Sequence, residues 1–203
     1  VSLFGKPRLA ADSVTVIAVP DGFQIPPKTQ WAFTPALNAL VPADGISGHI
    51  LTGTGLGQHL TLHHEVEEAH FVIEQTDDYG SGLVFDFADF DGSFFSLAFA
   101  VPLEGVLALG RQDLLRFVLQ TQTQEPFQAY VRLNLCHGPN TEQIVRMIEI
   151  GEGESFAEFD IFYTEFEQKR ATSAWIDLII NEPANKRIAL DQAIILRRAR
   201  ASL

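Results

Sequence analysis

The chain has 203 residues, of which 46% are hydrophobic and 20% charged, with 16 phenylalanines and a formal net charge of −12. This composition can bury a sizeable core and excludes a disordered chain, and the acidic balance argues against nucleic acid as a partner. Cys136 is the only cysteine, so no internal disulfide can form; this excludes cysteine-rich secreted scaffolds and favours a cytoplasmic location.

The printed sequence holds no apolar stretch of signal-peptide length and no long apolar run, so we expect no membrane partner. Charge is unevenly distributed along the chain. Residues 1–168 are strongly acidic, whereas residues 169–203 carry an excess of Lys and Arg. We expect the basic end, with Arg197, Arg198 and Arg200, to be a solvated strand end.

The first 57 residues are rich in turn formers, such as Pro20-Asp21-Gly22, which leave room only for short strands near 14–19 and 31–34. From Gln58 onward, apolar and polar residues alternate in runs closed by turns, the pattern of strands with one buried face. The residues predicted to face the core are Phe95, Leu97, Phe99 and Val101; Leu115, Phe117 and Leu119; Ala129, Val131, Leu133 and Leu135; Phe159, Ile161 and Tyr163; Ile176, Leu178 and Ile180; and Ile194 and Leu196.

Only the segment from Leu103 to Leu115 shows helical spacing, and it predicts at most a short turn of helix. About ten or eleven strands without intervening helices predict an antiparallel sandwich rather than alternating strands and helices. We therefore expect an all-β fold, a two-sheet antiparallel jelly-roll sandwich. Residues 1–203 would form a single domain whose loop-rich part is 1–57.

One polar strand face carries residue types that carbohydrate sites use. Tyr130 alternates with Gln128, Arg132 and Asn134, which combines a flat ring with hydrogen-bonding side chains. Trp175 is a further ring that could stack on a sugar if it is exposed. A plain solvated sheet face has the same pattern, so that alternative stays open.

The string His137-Gly138-Pro139-Asn140 predicts a tight turn between a strand ending at Cys136 and one beginning near Gln143. We expect extended geometry at Gly138, because it precedes a proline, with Pro139 and Asn140 as the central turn residues. In a functional alternative, His137 and Asn140 point into a groove beside Arg132 and Asn134. Strand-end loops often carry binding residues in sandwiches.

Asp86, Asp89 and Asp91 place three carboxylates next to a glycine turn, which would suit a structural calcium ion. The default interpretation is an acidic junction between strand and turn. A second group of ligand-type residues runs from His63 to His70, but a strand sends neighbouring side chains to opposite faces. We expect no other cofactor.

No catalytic constellation is visible in the sequence. Cys136 and His137 are adjacent, but neighbouring residues on a strand point apart. A glycosidase would need two facing carboxylates, and the strand residues that could supply them are more typical of a solvated face: Glu149, Glu158, Asp160 and Asp177. We therefore expect a protein that is not an enzyme, with a glycoside-acting enzyme as the less favoured alternative.

The segment from about Asp91 to Leu203 resembles an uncharacterised family of alphaproteobacterial proteins, a domain of unknown function. The resemblance is carried by Asp91–Leu97, Arg132–Asn134, His137–Gln143, Ala174–Ile179 and Arg197–Arg200. It implies no activity. The last strands are also similar to those of galactose-binding-like and carbohydrate-binding-module jelly rolls, which implies a non-catalytic module that binds carbohydrate or, alternatively, a protein-interaction or assembly domain.

Overall fold

The computed structural model describes residues 15–17, 23–37, 41–67, 69–76 and 82–201, with the backbone alone for 15–17. Its strands are β1 (Thr15–Ile17), β2 (Thr29–Phe33), β3 (Ile46–His49), β4 (Gly55–Leu56), β5 (Leu60–His64), β6 (His70–Thr76), β7 (Gly82–Asp86), β8 (Phe94–Ala100), β9 (Asp113–Thr123), β10 (Phe127–His137), β11 (Asn140–Ile150), β12 (Gly153–Asp160), β13 (Ala171–Asn181) and β14 (Arg187–Ala199). The short helix expected after Pro102 is confirmed as α1 (Leu103–Ala108), and 3₁₀ turns occur at Ile161–Tyr163 and Gln168–Arg170.

The strands form two sheets that face each other. In the six-stranded sheet the order is β11-β10-β13-β8-β5-β4, and all neighbours are antiparallel. In the eight-stranded sheet, β14 lies between β9 on one side and β2 and β7 on the other, with β12 beyond β9. Only the short β1–β2 pair is parallel among the described strands. The expected two-sheet antiparallel jelly-roll sandwich is confirmed.

A continuous apolar core fills the space between the sheets and includes residues from Trp31 to Ile195. Phenylalanine dominates one end of it, where ring centroids lie 4.8 to 6.5 Å apart, as aromatic pairs prefer. The rings there are Phe71, Phe87, Phe90 and Phe95. The predicted inward sets on β8, β9, β10 and β13 are all buried in this core and are confirmed.

Two predicted inward sets are partly wrong. Tyr163 is 77% exposed, because β12 ends at Asp160 and the following 3₁₀ turn breaks the alternation. On β14 the main core holds Ile188, Leu190, Ala193 and Ile195, whereas Ile194 and Leu196 are buried on the opposite side of the strand. A register shift between Leu190 and Gln192 changes which residues point inward.

The turn between β10 and β11 is one residue earlier than predicted. His137 pairs with Asn140, so Gly138 and Pro139 are the two central residues rather than Pro139 and Asn140. Gly138 has φ +54°, which glycine adopts at little cost and which two-residue hairpin turns require at their first central position. The Gly138 N–H donates to the Arg170 carbonyl, 2.9 Å away.

Within the described residues, no helix has both the length and the apolar character needed to cross a membrane. The predicted extent of a single domain over 1–203 stays a prediction. Residues 1–14 and 18–22 lie outside the described residues, including part of the strand expected near 14–19.

Candidate binding site

The outer face of the six-stranded sheet, which we call the open face, carries the polar residues singled out in the sequence. On β10, alternate side chains point to this face, and each lies between one residue of β11 and one of β13. The three cross-strand rows are Met147–Tyr130–Ile179, Val145–Arg132–Asp177 and Gln143–Asn134–Trp175.

A hydrogen-bonded pair occupies the middle row. The Asp177 side chain is only 6% exposed, whereas that of Arg132 is 38% exposed. Nε and Nη2 of Arg132 lie 2.9 and 2.8 Å from Oδ2 of Asp177, and Nδ2 of Asn134 donates to the same oxygen over 2.9 Å. All three contacts converge on Oδ2, which leaves Oδ1 of Asp177 and Nη1 of Arg132 without a hydrogen-bond partner among the described residues.

Asn134 does not reach solvent, contrary to the prediction that it would be exposed with Tyr130 and Arg132. It is fully buried because its short side chain lies beneath Gln143 and Trp175 in the neighbouring strands. Its amide nitrogen donates to Asp177, and its Oδ1 accepts from Nε2 of Gln143 over 2.8 Å. Asn134 therefore positions Asp177 and Gln143 rather than contacting a ligand.

Both predicted aromatic residues lie on the open face. Tyr130 is 36% exposed and adjoins the Arg132–Asp177 pair one row away. Trp175 is half-buried and lies across from Asn134. The face therefore combines an accessible ring with charged hydrogen-bonding groups in adjacent rows.

Small side chains border this cluster on the next strand. On β8, Ser96, Ala98 and Ala100 face Ile179, Asp177 and Trp175 in register. On the far side of β8, Thr61 and His63 of β5 flank the same small residues. Because a serine or alanine projects less than its neighbours, β8 forms the floor of a shallow trough along the sheet.

His137 and Asn140 do not join the open face, contrary to the groove alternative. Odd-numbered residues of β10 point inward, and His137 is accordingly buried, with its ring against Phe166 and its Nδ1 accepting from the Glu167 N–H over 3.4 Å. Asn140 is exposed at the turn. The turn therefore places these two side chains in different environments.

The three aspartates proposed for calcium do not converge. Asp86 accepts a hydrogen bond from the Ala88 N–H and lies 3.8 Å from Nε of Arg187, and Asp89 and Asp91 are exposed. Within the described residues, no group of three or more His, Cys, Asp or Glu side chains is arranged to hold a metal ion. The calcium expectation receives no support from this geometry.

The four carboxylates considered for glycoside hydrolysis are divided between the two sheets. Glu158 and Asp160 line one cavity on the eight-stranded sheet, but Arg116 and Arg200 engage them at 2.9 and 3.0 Å. Asp177 lies on the other sheet, and Glu149 is exposed on β11. None of these arrangements pairs a buried carboxyl beside an apolar wall with a second, ionised one.

Sequence reasoning missed the role of Asp177 and Gln143 beside Tyr130. Gln143 of β11 and Asp177 of β13 both pair with β10, and these pairings follow only from strand register, which one sequence does not reveal. The sequence of β8 does indicate the trough, because Ser96, Ala98 and Ala100 alternate with the large core residues of that strand.

Solved structures with a similar fold include carbohydrate-binding modules. A family 11 module from Clostridium thermocellum, in complex with a beta-1,3-1,4-mixed-linked tetrasaccharide, gives a TM-score of 0.47 at 11% identity, over 77% of this chain and 99% of that one. The CBM22-1 xylan-binding domain of Paenibacillus barcinonensis Xyn10C gives 0.44 at 12% identity, over 80% and 99%. An exo-beta-agarase gives 0.47 at 12% identity, over 77% of this chain and 25% of that chain. These likenesses concern the fold alone.

No curated protein sequence matches the chain significantly. A model of a family of unknown function, DUF6478, matches residues 8–203. The expected resemblance to an uncharacterised family is confirmed and extends well before Asp91, while the alphaproteobacterial origin stays an expectation. Because this match spans nearly the whole chain, the protein belongs to the DUF6478 family, whose function is unknown.

Proposed function

We propose that this protein is a non-catalytic binding domain that takes a carbohydrate on its open face. The observation that carries the proposal is the middle of that face, where Asp177 Oδ1 and Arg132 Nη1 are left unengaged beside the accessible ring of Tyr130. A hydrogen-bond acceptor, a donor and an aromatic surface thus lie within adjacent cross-strand rows.

This combination matches the surface of a sugar ring. Each hydroxyl group both donates and accepts a hydrogen bond, so neighbouring hydroxyls can donate to Asp177 and accept from Arg132. The C–H groups of a pyranose face form an apolar surface that can lie on the Tyr130 ring. Asn134 and Gln143 hold Asp177 in place before a ligand arrives, which reduces the cost of ordering the site.

The trough along β8 gives room for an extended ligand. Its floor of small side chains lies next to Trp175 and Asp177, so a chain of sugars could follow the strand direction from Trp175 toward Ile179. A flat face with few deep contacts predicts modest affinity, because little ligand surface is enclosed.

A glycan array with the full chain tests this proposal. We expect one class of oligosaccharide to bind, with the signal reduced at least tenfold in Tyr130→Ala and in Arg132→Gln. Arg187→Gln is the matched control for Arg132→Gln, since Arg187 is an exposed arginine on β14, outside the six-stranded sheet, and it should bind like the wild type. Wild-type binding in the Tyr130→Ala variant, or no glycan bound at all, would contradict the proposal.

A second candidate is assembly through the same face. Met147 and Val145 are 57% and 50% exposed beside Tyr130, and exposed apolar side chains grouped on one face are typical of protein contacts. If this candidate is correct, sedimentation velocity should show a concentration-dependent dimer that Met147→Lys abolishes. A monomer at all concentrations would rule this candidate out and leave the carbohydrate proposal intact.

A further inference from the structure

The end of the eight-stranded sheet carries a basic surface on an acidic protein. Three arginines pair with two carboxylates, Glu158 and Asp160, and two more contact neighbouring residues of the same segment, although the net charge of the chain is −12. The arginines, which define what we call the arginine–aromatic surface, are Arg111, Arg116, Arg146, Arg198 and Arg200. Charges more than about 10 Å away are largely screened at physiological salt, so this surface attracts anions in spite of the acidic remainder.

Three of these arginines are held by the two acids. Arg111, which donates to the Phe162 carbonyl over 2.7 Å, and Arg146 are not. Arg116 and Arg198 lie 2.9 and 4.0 Å from Oε2 of Glu158, and Arg200 lies 3.0 Å from Asp160. Arg146 donates only to the carbonyls of Glu158 and Val145, over 3.2 and 3.0 Å. It has no carboxylate partner among the described residues, which leaves its positive charge uncompensated.

Arg146 and Arg200 face one cavity of about 390 Å³, which Glu158 and Asp160 also line. This volume falls within the range of small-molecule sites. The cavity therefore offers guanidinium donors for an anion and carboxylate oxygens that accept hydrogen bonds from neutral hydroxyl groups.

Exposed rings contact two arginines of this surface. The Arg200 guanidinium lies 4.4 Å from the Phe162 ring centroid and 5.5 Å from that of Tyr163, and these two rings meet at 89°. Arg116 lies 4.3 Å from the ring of Phe156. The three rings are 36%, 77% and 49% exposed for Phe162, Tyr163 and Phe156, although hydrophobic burial would favour covering them.

We propose that the arginine–aromatic surface binds an oligosaccharide that carries carboxylate groups, at a site separate from the open face. A uronic acid residue has a carboxylate for Arg146, hydroxyls that can donate to Glu158 and Asp160, and a C–H face for the exposed rings. An acidic peptide or a DNA backbone brings anions but few hydroxyl groups that could donate to those two carboxylates. The mixture of donors and acceptors in the cavity therefore favours the acidic sugar.

Isothermal titration calorimetry of the full chain with tetragalacturonate and tetramannuronate tests the proposal. We expect at least one of them to bind at least tenfold more tightly than neutral galactotetraose, with affinity that falls as NaCl is added. Arg146→Gln should weaken that binding at least tenfold. Because Arg146 also donates to the Glu158 carbonyl of β12, thermal unfolding of this variant is measured in parallel. Tyr163→Ala, at a highly exposed side chain, is the second variant and should also weaken the binding.

Two control variants separate this site from the rest of the molecule. Arg187→Gln removes an exposed arginine elsewhere on the same sheet, and Tyr130→Ala removes the ring of the open face; both should bind the acidic tetrasaccharide like the wild type. Loss in Tyr130→Ala but not in Arg146→Gln or Tyr163→Ala would overturn this inference and support the open face instead. No binding of either acidic tetrasaccharide at about 1 mM, or tighter binding of poly-glutamate or single-stranded DNA, would also overturn it.

Discussion

The two outer faces of the sandwich differ in how much apolar surface they bury. On the eight-stranded sheet, Val118, Ile194 and Leu196 form a second small core with Ala32, and Phe23 packs against it. On the open face, the corresponding side chains are polar or exposed, as for Arg132, Val145 and Met147. One sheet therefore buries apolar side chains on both sides over part of its area, whereas the open face of the other buries polar side chains such as Asn134 and Asp177.

This difference in burial is visible in the sequence patterns of the strands. A strand buried on one face alternates, as β10 does, whereas a strand buried on both faces reads as a continuous apolar run. The run Ala193-Ile194-Ile195-Leu196 of β14 is buried throughout. An unbroken apolar run of this kind in an antiparallel sandwich therefore indicates that the outer face of that strand is covered.

The largest expected effect tests this contrast with one deletion on each face. Leu196→Ala removes a fully buried side chain of the second small core and should reduce the free energy of unfolding by about 2–4 kcal/mol, because it leaves a cavity. Met147→Ala, on the open face, should change it by less than about 0.5 kcal/mol. Urea unfolding of both variants measures the difference; similar losses would mean that the two faces are equally covered.

The comparison also explains which parts of the structure could be predicted. The sequence predicts core-facing residues such as Phe95, Leu97 and Phe99 because burial of one strand face alone makes apolar and polar residues alternate with a period of two. The prediction that Ile194 and Leu196 face the main core is wrong because alternation carries no information where both sides of a strand are buried. The Arg132–Asp177 pair joins residues far apart in the chain, and strand register alone brings them together.

A second prediction compares ion pairs on the two sheets. Asp177→Ala removes the acceptor of Arg132 and the shortest hydrogen bond of the buried Asn134. Nδ2 of Asn134 keeps only longer contacts, to the Arg132 and Trp175 carbonyls over 3.3 and 3.4 Å, and the loss should reduce stability by about 1–3 kcal/mol. Glu158→Ala removes a partner of Arg116; the Glu158 and Arg116 side chains are 30% and 21% exposed. This substitution should reduce stability less, by about 0–1 kcal/mol. Chemical denaturation of the two single variants ranks these costs, and the reverse order would show that the open-face network is not preorganised.

A third prediction separates the two polar side chains of the β10–β11 turn. His137→Ala removes a buried ring that contacts Phe166 and accepts from the Glu167 N–H, and should cost about 1–2 kcal/mol of stability. Asn140→Ala removes an exposed side chain and should stay within about 0.5 kcal/mol. Thermal unfolding of both variants measures this; equal effects would show that the turn, rather than burial of His137, determines the loss.

The smallest expected effect concerns Asp113, the first residue of β9. Burial raises the pKa of this carboxyl above its ordinary 3.8, against the opposing influence of the Gly110 N–H and of Arg197. A carboxyl whose pKa is higher in the folded than in the unfolded chain binds its proton more tightly when folded, so the wild type should lose stability as pH rises from 3.8 through the raised value.

Asp113→Asn tests this, because the asparagine side chain cannot ionise but keeps an oxygen that can accept the Gly110 N–H. The difference in unfolding free energy between the variant and the wild type should therefore shift in favour of the variant as pH rises over that interval. Above it, the two plots of unfolding free energy against pH should be parallel, separated by a constant offset from the lost Arg197 contact. Urea unfolding at a series of pH values, with Glu154→Gln as an exposed control on β12, measures the change; curves that stay parallel throughout would show that the environment of Asp113 does not disfavour its charge.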